Sequence, residues 1–436
     1  MSLLTAGAAS LALLATACGG SGAGGSSSAP ENFDYLSVTE NTTVKTALTT
    51  MSKDVCKAAN DALPLKVETV PQASLDQKLQ LLAGQDALPV QFAAGNAPAL
   101  TQQLAKSGKV ADLEAKLKEL GVLDQLEPAA VSTIKALYGG ELQVLPYEYN
   151  IEGIFYNKKV FDKYDIKVPT TWAEYLDAAR DLHKADPKAY ITADNGDAGF
   201  ATSMLWQAGS RPYTVDGTKV KIDFSDQGAK TFTGTWQQLI DEKLLASVPA
   251  WTDEWYKGLG DGSIATLATG AWMPANLESG AKSASGDWRV APMPQWKAGD
   301  KVSAENGGSA LALPELGKNE ALAYAFVEYA NAGDGVQTRL KNGAFPATTA
   351  DLQSTRFQDT AFPYFGGQKA NKIFAESAAD VPDDWSYLPY QVYANSVFND
   401  TVGKAYVSGT TLAEGLESWQ EASVKYGEEQ GFTVEK

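Results

Sequence analysis

The sequence predicts an α/β protein built as two lobes, and three observations lead there. With 436 residues the chain exceeds the roughly 100–200 residues of one domain, so two or three lobes with sizeable cores are expected. From Asn32 onward, strand-like and helix-like segments alternate, the pattern of mostly parallel sheets covered by helices. The chain carries no internal repeat, and no low-complexity segment beyond its N-terminal region. Two lobes with discontinuous tracing are therefore expected, rather than two beads on a string.

Asp34–Val38 reads as a first strand, followed by an amphipathic helix over Thr42–Ala59. Leu65–Val70 is a second strand, and the helix after it, Ser74–Leu82, takes its apolar face from Leu75, Leu79, Leu81 and Leu82. Pro89–Phe92 makes a short third strand. Helical patterns follow at Ala99–Ala105, Val110–Leu120 and Pro128–Leu137, and Gly139-Gly140 opens a turn. Leu142–Pro146 and Ile151–Tyr156 then read as two strands in close succession, a crossing between lobes. In the second block Thr171 and Glu174 stand in capping-box spacing at a strong helix start. Further helices are predicted at Lys230–Lys243, Thr252–Leu259, Asn319–Ala332 and Leu412–Gly427, with a small apolar strand at Ile264–Thr269. This tracing assigns 32–148 plus about 308–350 to lobe 1, and 149–307 plus about 351–436 to lobe 2.

The N-terminus reads as an address. Residues 3–17 form an uncharged apolar run of signal-peptide length, too short to span a bilayer as a permanent helix. No Lys or Arg precedes it, a departure from the basic start of such peptides. Leu14-Ala15-Thr16-Ala17-Cys18-Gly19-Gly20 is similar to a bacterial lipobox, which implies a signal peptide over 1–17 and lipidation of Cys18. The Gly/Ser-rich stretch that follows, to residue 31, behaves as a flexible tether. A folded domain leashed to the outer face of a cell membrane is the expectation.

Composition removes whole classes of function. Thirty-six Lys+Arg against 53 Asp+Glu give a net charge of −17, and with no basic cluster a phosphate backbone would be repelled. No nucleic-acid partner is expected. One histidine, His183, and two cysteines, Cys18 and Cys56, exclude a site built from several imidazole or thiolate ligands, so neither metal nor cofactor is expected. His183 reads as a surface or packing residue and Cys56 as a core residue. What remains conspicuous is an aromatic load of 10 Trp, 18 Tyr and 15 Phe.

Five motifs in order, the first made of two segments, carry a resemblance. Leu145-Pro146-Tyr147-Glu148-Tyr149-Asn150 precedes Phe155-Tyr156-Asn157-Lys158-Lys159-Val160-Phe161, and Val168-Pro169-Thr170-Thr171-Trp172-Ala173-Glu174 follows. Later come Gly270-Ala271-Trp272-Met273, Ala291-Pro292-Met293-Pro294 and Gly307-Gly308-Ser309-Ala310-Leu311-Ala312-Leu313. Together with the lipobox they resemble the extracellular solute-binding proteins of carbohydrate (oligosaccharide) ABC importers, of the bacterial lipoprotein type. That resemblance implies a two-lobed periplasmic-binding-protein-like fold, with hinge strands and a ligand cleft between the lobes. It also implies a non-enzymatic role: capture of a di- or oligosaccharide and delivery to the transmembrane subunits of an ABC permease, by a monomer held through its lipid anchor at the extracellular face of the cell membrane.

A sugar offers a weakly apolar C–H face and a rim of hydroxyls, so its site needs flat aromatics together with Asp, Glu, Asn or Gln. Such mixtures stand in loops. Glu40 and Asn41 follow the first strand, where Asn41 is equally a helix cap; Asn96 follows the third, with the same ambiguity, and Gln72 follows the second. On an extended Tyr147–Asn150 segment, Glu148 and Asn150 face one side and Tyr147 the other. The segment Thr202–Gln207 begins a helix, and its Trp206 reads as core or platform. Trp251 and Trp255, four apart, share a helix face, which also fits plain packing. Trp272 with Asn276, Glu305 with Asn306, Gln368 at a helix start, and Trp385 with Tyr387 complete the set.

Two other readings are weighed. A cationic solute such as a polyamine would also suit acidic and aromatic residues. A secreted glycoside hydrolase needs two carboxylates roughly 5–10 Å apart across one bond, whereas Asp253/Glu254 and Asp383/Asp384 are sequence neighbours that do not face one another.

Overall fold

The structure, a computed structural model, describes residues 33–38, 65–70, 72–85, 87–94, 104, 107–138, 140–306, 309–313, 320–332, 336–337, 340, 344–382 and 384–436. The expected signal peptide, Cys18, the expected tether, Glu40, Asn41, the helix expected over Thr42–Ala59, Cys56 and Asn96 lie outside them, as does all but Leu104 of the segment Ala99–Ala105 expected as a helix. The strands are β1 (Phe33–Val38), β2 (Leu65–Val70), β3 (Val90–Ala94), β4 (Leu145–Pro146), β5 (Glu152–Asn157), β6 (Thr192–Ala193) and β7 (Tyr213–Asp216). They continue with β8 (Lys219–Ile222), β9 (Leu245–Ala246), β10 (Thr266–Gly270), β11 (Trp288–Ala291), β12 (Ser309–Ala312) and β13 (Thr433–Glu435). The fold is α/β, and the chain divides into two compact units, Met1–Tyr149 with Gly308–Leu352 and Asn150–Gly307 with Gln353–Lys436.

Unit 1 is organised on a five-stranded sheet of order β2-β1-β3-β12-β4. β1 runs parallel to β2 and β3, while β12 is antiparallel to β3 and β4. Leu75 and Leu79 of the helix Gln72–Gly84 are buried, but Leu81, expected on the same apolar face, is 57% exposed, because at 100° per residue it lies off the stripe through Leu75, Leu79 and Leu82. Gln72 opens that helix instead of standing in a loop. The helix predicted over Val110–Leu120 covers only Glu114–Glu119. Its first residues are committed to distant strand-like pairing, with Ala111 N–H donating to Leu313 O (3.0 Å) and Leu113 N–H to Leu142 O (3.0 Å).

In unit 2 the expectation of mostly parallel sheets fails. Its central sheet, β10-β5-β11, is antiparallel throughout; strand direction depends on which end of the sheet each connection returns to, and periodicity does not encode that. β5 is buried on both faces. A Cβ added at Gly153 would lie 2.7 Å from the Phe374 ring, so glycine is what lets the helix Ala370–Ser377 pack on this strand. The capping box at Thr171 forms: Glu174 N–H donates to Thr171 Oγ1 (3.2 Å), and Thr171 N–H donates back to Glu174 Oε2 (3.2 Å). Thr252 likewise caps the helix Asp253–Asp261 through Trp255 N–H (3.2 Å). Two further segments differ from expectation. Tyr147–Asn150 is not a strand, and all four residues are buried, so alternation does not sort them into two faces. The helix holding Trp206 begins at Ala198, where Asp197 accepts from Phe200 N–H (2.7 Å), which puts Trp206 in its last turn.

Among the described residues no helix is long and apolar enough to cross a membrane.

Candidate functional site

In unit 2 three tryptophans meet. Trp251 packs on Trp255 (ring centroids 5.3 Å apart) and on Trp272 (5.5 Å, planes 30° apart). Trp255 is buried and braced edge-on by Tyr256 at 4.9 Å; Trp272 is half-buried, and Trp251 is 54% exposed. The contact between Trp251 and Trp255 does not come from a shared helix face. Trp251 lies before the helix cap, at φ +69°, a left-handed conformation costing a bulky L-residue roughly 1–2 kcal/mol. The rings hold it there. The exposed indole thus joins a run of three rings, each tilted against the next.

A polar network adjoins the rings. Trp272 Nε1 donates to the Asn306 carbonyl (2.8 Å), Asn306 Nδ2 donates to Glu152 Oε1 (3.0 Å), and Asn306 N–H donates to Asn150 O (3.0 Å). Gly270, opposite Glu152 in the β10–β5 register, leaves the space this requires, since a Cβ there would sit 2.7 Å from the Asn306 carbonyl oxygen. Asn276 donates to the Trp272 carbonyl (3.3 Å) and so steadies the turn carrying that ring. Glu305 is buried, and its carbonyl accepts from Ser203 Oγ (2.7 Å). Two buried oxygens here have no hydrogen-bond partner, Asn150 Oδ1 and Glu152 Oε2. Burial pushes the Glu152 carboxyl up to about 7, against the Asn306 amide and the nearby Ser203 hydroxyl, which favour the ionised form.

A second aromatic group closes on itself. Trp206 and Trp385 stack at 5.3 Å and 15°, with Tyr387 and Tyr213 at the Trp385 ring. Trp206 is 1% exposed and donates to Pro382 O (3.2 Å), so it belongs to the core and not to a platform. Trp385 and Tyr387 are also buried. Burial, and then the charge of Glu305, push the Tyr387 phenol upward. Arg211 pairs with Asp384 and lies 6.0 Å over Trp385, pinning this loop to the helix Ala198–Gln207 through Trp206 O (3.2 Å).

Unit 2 thus brings together Asn150, Trp251, Trp255, Trp272, Asn276, Glu305 and Asn306, with Trp206, Trp385 and Tyr387 in the neighbouring aromatic group. Gln368 is a correction. It precedes the helix at Ala370, and both ends of its amide are taken by the Val290 backbone, accepting from N–H (2.8 Å) and donating to O (2.7 Å). It extends β11 as a strand would, which leaves no rim group. Tyr147 and Glu148 are buried in unit 1. His183 packs on Tyr190 at 5.0 Å with Nδ1 at the Ala189 carbonyl (3.1 Å), a packing residue as expected. Glu152 escaped the sequence reading, although an acid opening an otherwise apolar strand was a visible signal. Among the described residues no group of three or more His, Cys, Asp or Glu could hold a metal ion.

The family model for bacterial extracellular solute-binding proteins matches residues 48–336. The chain belongs to this family. A solved structure of the ABC transporter associated binding protein from B. animalis subsp. lactis Bl-04, in complex with beta-1,6-galactobiose, is 36% identical, covering 93% of this chain and 100% of that one at a TM-score of 0.81. The galacto-N-biose-/lacto-N-biose I-binding protein from Bifidobacterium longum, at 22% identity, 92% and 98% coverage and a TM-score of 0.77, shares the fold of this solute-binding protein. An arabinooligosaccharide-binding protein of Halalkalibacterium halodurans (strain ATCC BAA-125 / DSM 18197 / FERM 7344 / JCM 9153 / C-125) is 23% identical over 290 residues, spanning 64% of each chain. The match to its Bacillus subtilis (strain 168) counterpart, 26% identical, spans 45% of this chain and 46% of that protein.

Proposed function

We propose that this solute-binding protein is the substrate-binding component of an ABC importer, capturing a di- or oligosaccharide and releasing it unchanged to the permease. The observation that carries this reading is the exposed Trp251 ring, held at positive φ against Trp255 and Trp272, beside buried Asn, Glu and Ser groups suited to hydroxyls. The 36% identical relative holds beta-1,6-galactobiose, so a β-linked galactose disaccharide is the first solute to try. Trp251, Trp255 and Trp272 supply the stacking surface; Asn150, Glu305 and Asn306 supply hydrogen bonds to the rim. Cys18 carries the lipid anchor at the extracellular face, and the protein acts as a monomer.

Titration followed by tryptophan fluorescence and calorimetry tests this with beta-1,6-galactobiose, lacto-N-biose and arabino-oligosaccharides. Saturable binding of at least one, with no monosaccharide released, is expected. Failure of all of them at millimolar concentration, or binding of polyamines alone, overturns the reading. Cys18→Ser should move the protein from the membrane fraction to the medium.

A further inference from the structure

We propose that Glu152 is a positioning residue of the solute site, fixing the Asn306 segment and, through the Asn306 carbonyl, the Trp272 ring. This rests on the saccharide reading above and deepens it. Glu152 is 0% exposed. Its backbone N–H donates to Ala304 O (2.9 Å) and its Oε1 accepts from Asn306 Nδ2 (3.0 Å), so main chain and side chain both hold the 304–306 segment. Trp272 then hangs from the same asparagine by its indole N–H (2.8 Å), and Trp251 rests on Trp272. One carboxyl group therefore lies two hydrogen bonds from the stacking surface without touching it.

The other oxygen, Oε2, is buried, and the Ser203 hydroxyl beside the carboxyl is committed to the Gly199 and Glu305 carbonyls (3.0 and 2.7 Å). A carboxylate with one oxygen stranded in this way costs far more than a carboxylic acid, and burial accordingly holds Glu152 un-ionised until about pH 7. Titratable groups near it are Glu305, on the 304–306 segment, and Tyr387, whose phenol feels the charges of both glutamates, while the helix Ala370–Ser377 on the same strand carries Lys372 and Glu376. β10 contributes Gly270, and the helix Ala198–Gln207 contributes Ser203; neither ionises. Among the described residues Glu152 forms no ion pair. Loss of its proton leaves a buried anion that draws harder on the Asn306 amide and on water, which shifts the 304–306 segment and with it the Trp272 ring.

The experiment measures Kd for beta-1,6-galactobiose from pH 5.5 to 8.5, and the pH dependence of the Trp272 indole N–H resonance in ligand-free protein, assigned with Trp272→Phe. Full coupling of one proton with a midpoint near 7 makes Kd about tenfold weaker at pH 8 than at pH 6. Glu152→Gln, which keeps an oxygen for Asn306 and has no proton to lose, removes this slope and the pH shift of the resonance. Glu152→Ala weakens Kd by about tenfold at pH 6 and displaces the resonance at every pH. A flat Kd and a flat resonance in the wild type, or a slope that persists in Glu152→Gln, overturns the inference. Absence of saccharide binding at every pH would instead defeat the functional reading, and the ligand-free resonance still decides the role of Glu152.

Discussion

Trp172 and Trp251 both sit in tryptophan clusters of unit 2, and their surroundings are opposite. Trp172 packs on Tyr175 at 5.1 Å and on Trp236 at 5.8 Å, and both tryptophans are 1% exposed. Their indole N–H groups are satisfied, Trp172 by Gln207 Oε1 (2.8 Å) and Trp236 by Asp194 Oδ2 (2.7 Å). Burial raises the pKa of Asp194, opposed by donors from Gly196, Tyr406 and Trp236. In the other cluster Trp251 is 54% exposed at positive φ, and the buried Trp255 N–H has no partner. Trp172 and Trp236 are enclosed and settle their polar atoms, whereas Trp251 leaves much of its ring exposed in a left-handed backbone conformation.

The largest expected effect separates the clusters by stability. Trp236→Ala empties a fully buried site and strands Asp194, at a cost of about 3–5 kcal/mol in urea unfolding, while the folded fraction keeps its saccharide affinity. Loss of affinity without loss of stability would break the comparison.

The polar network comes next. Glu152 titrates at about 7 when folded against 4.5 unfolded, so the folded state binds the extra proton between those values. Stability is therefore full below about pH 4.5, falls as pH rises toward 7, and levels above it; a shift of this size corresponds to on the order of 3 kcal/mol. Glu152→Gln should flatten that arm of a stability-versus-pH curve, and an arm that survives the substitution would assign it elsewhere.

Trp251→Gly sharpens the contrast most directly. It removes the open ring and suits the positive φ, so saccharide affinity should fall about tenfold or more, with stability unchanged or about 1 kcal/mol higher. A drop in melting temperature matching that of Trp236→Ala would make Trp251 a core residue. The smallest effect is Thr171→Ala, where loss of the cap at Trp172 should cost about 1 kcal/mol by thermal melting and leave binding untouched.

Much of the fold was legible in local pattern. Leu65–Val70 and Pro128–Leu137 lie where read, and the Thr171/Glu174 box forms with its predicted partners. Val110–Leu113 misled because its helical spacing competes with hydrogen bonds to Leu313 and Leu142, far along the chain. The site was legible by composition more than by role. Trp251, Trp272 and Asn306 have the chemistry of a sugar site and converge, whereas Trp206 and Gln368 have the same chemistry and are consumed by packing and by the edge of β11.

The sequence by itself determined the α/β class, the family resemblance and the set of aromatic and polar residues from which a sugar site would be drawn, since these follow from periodicity, motif order and side-chain chemistry. Tertiary structure alone decided which of those residues meet. Glu152 and Asn306 are 154 positions apart, and Trp251, at positive φ, meets Trp272 across 21 positions of chain. Local pattern reports what a side chain can do; whether a face stays open or a proton stays bound depends on what folding brings against it.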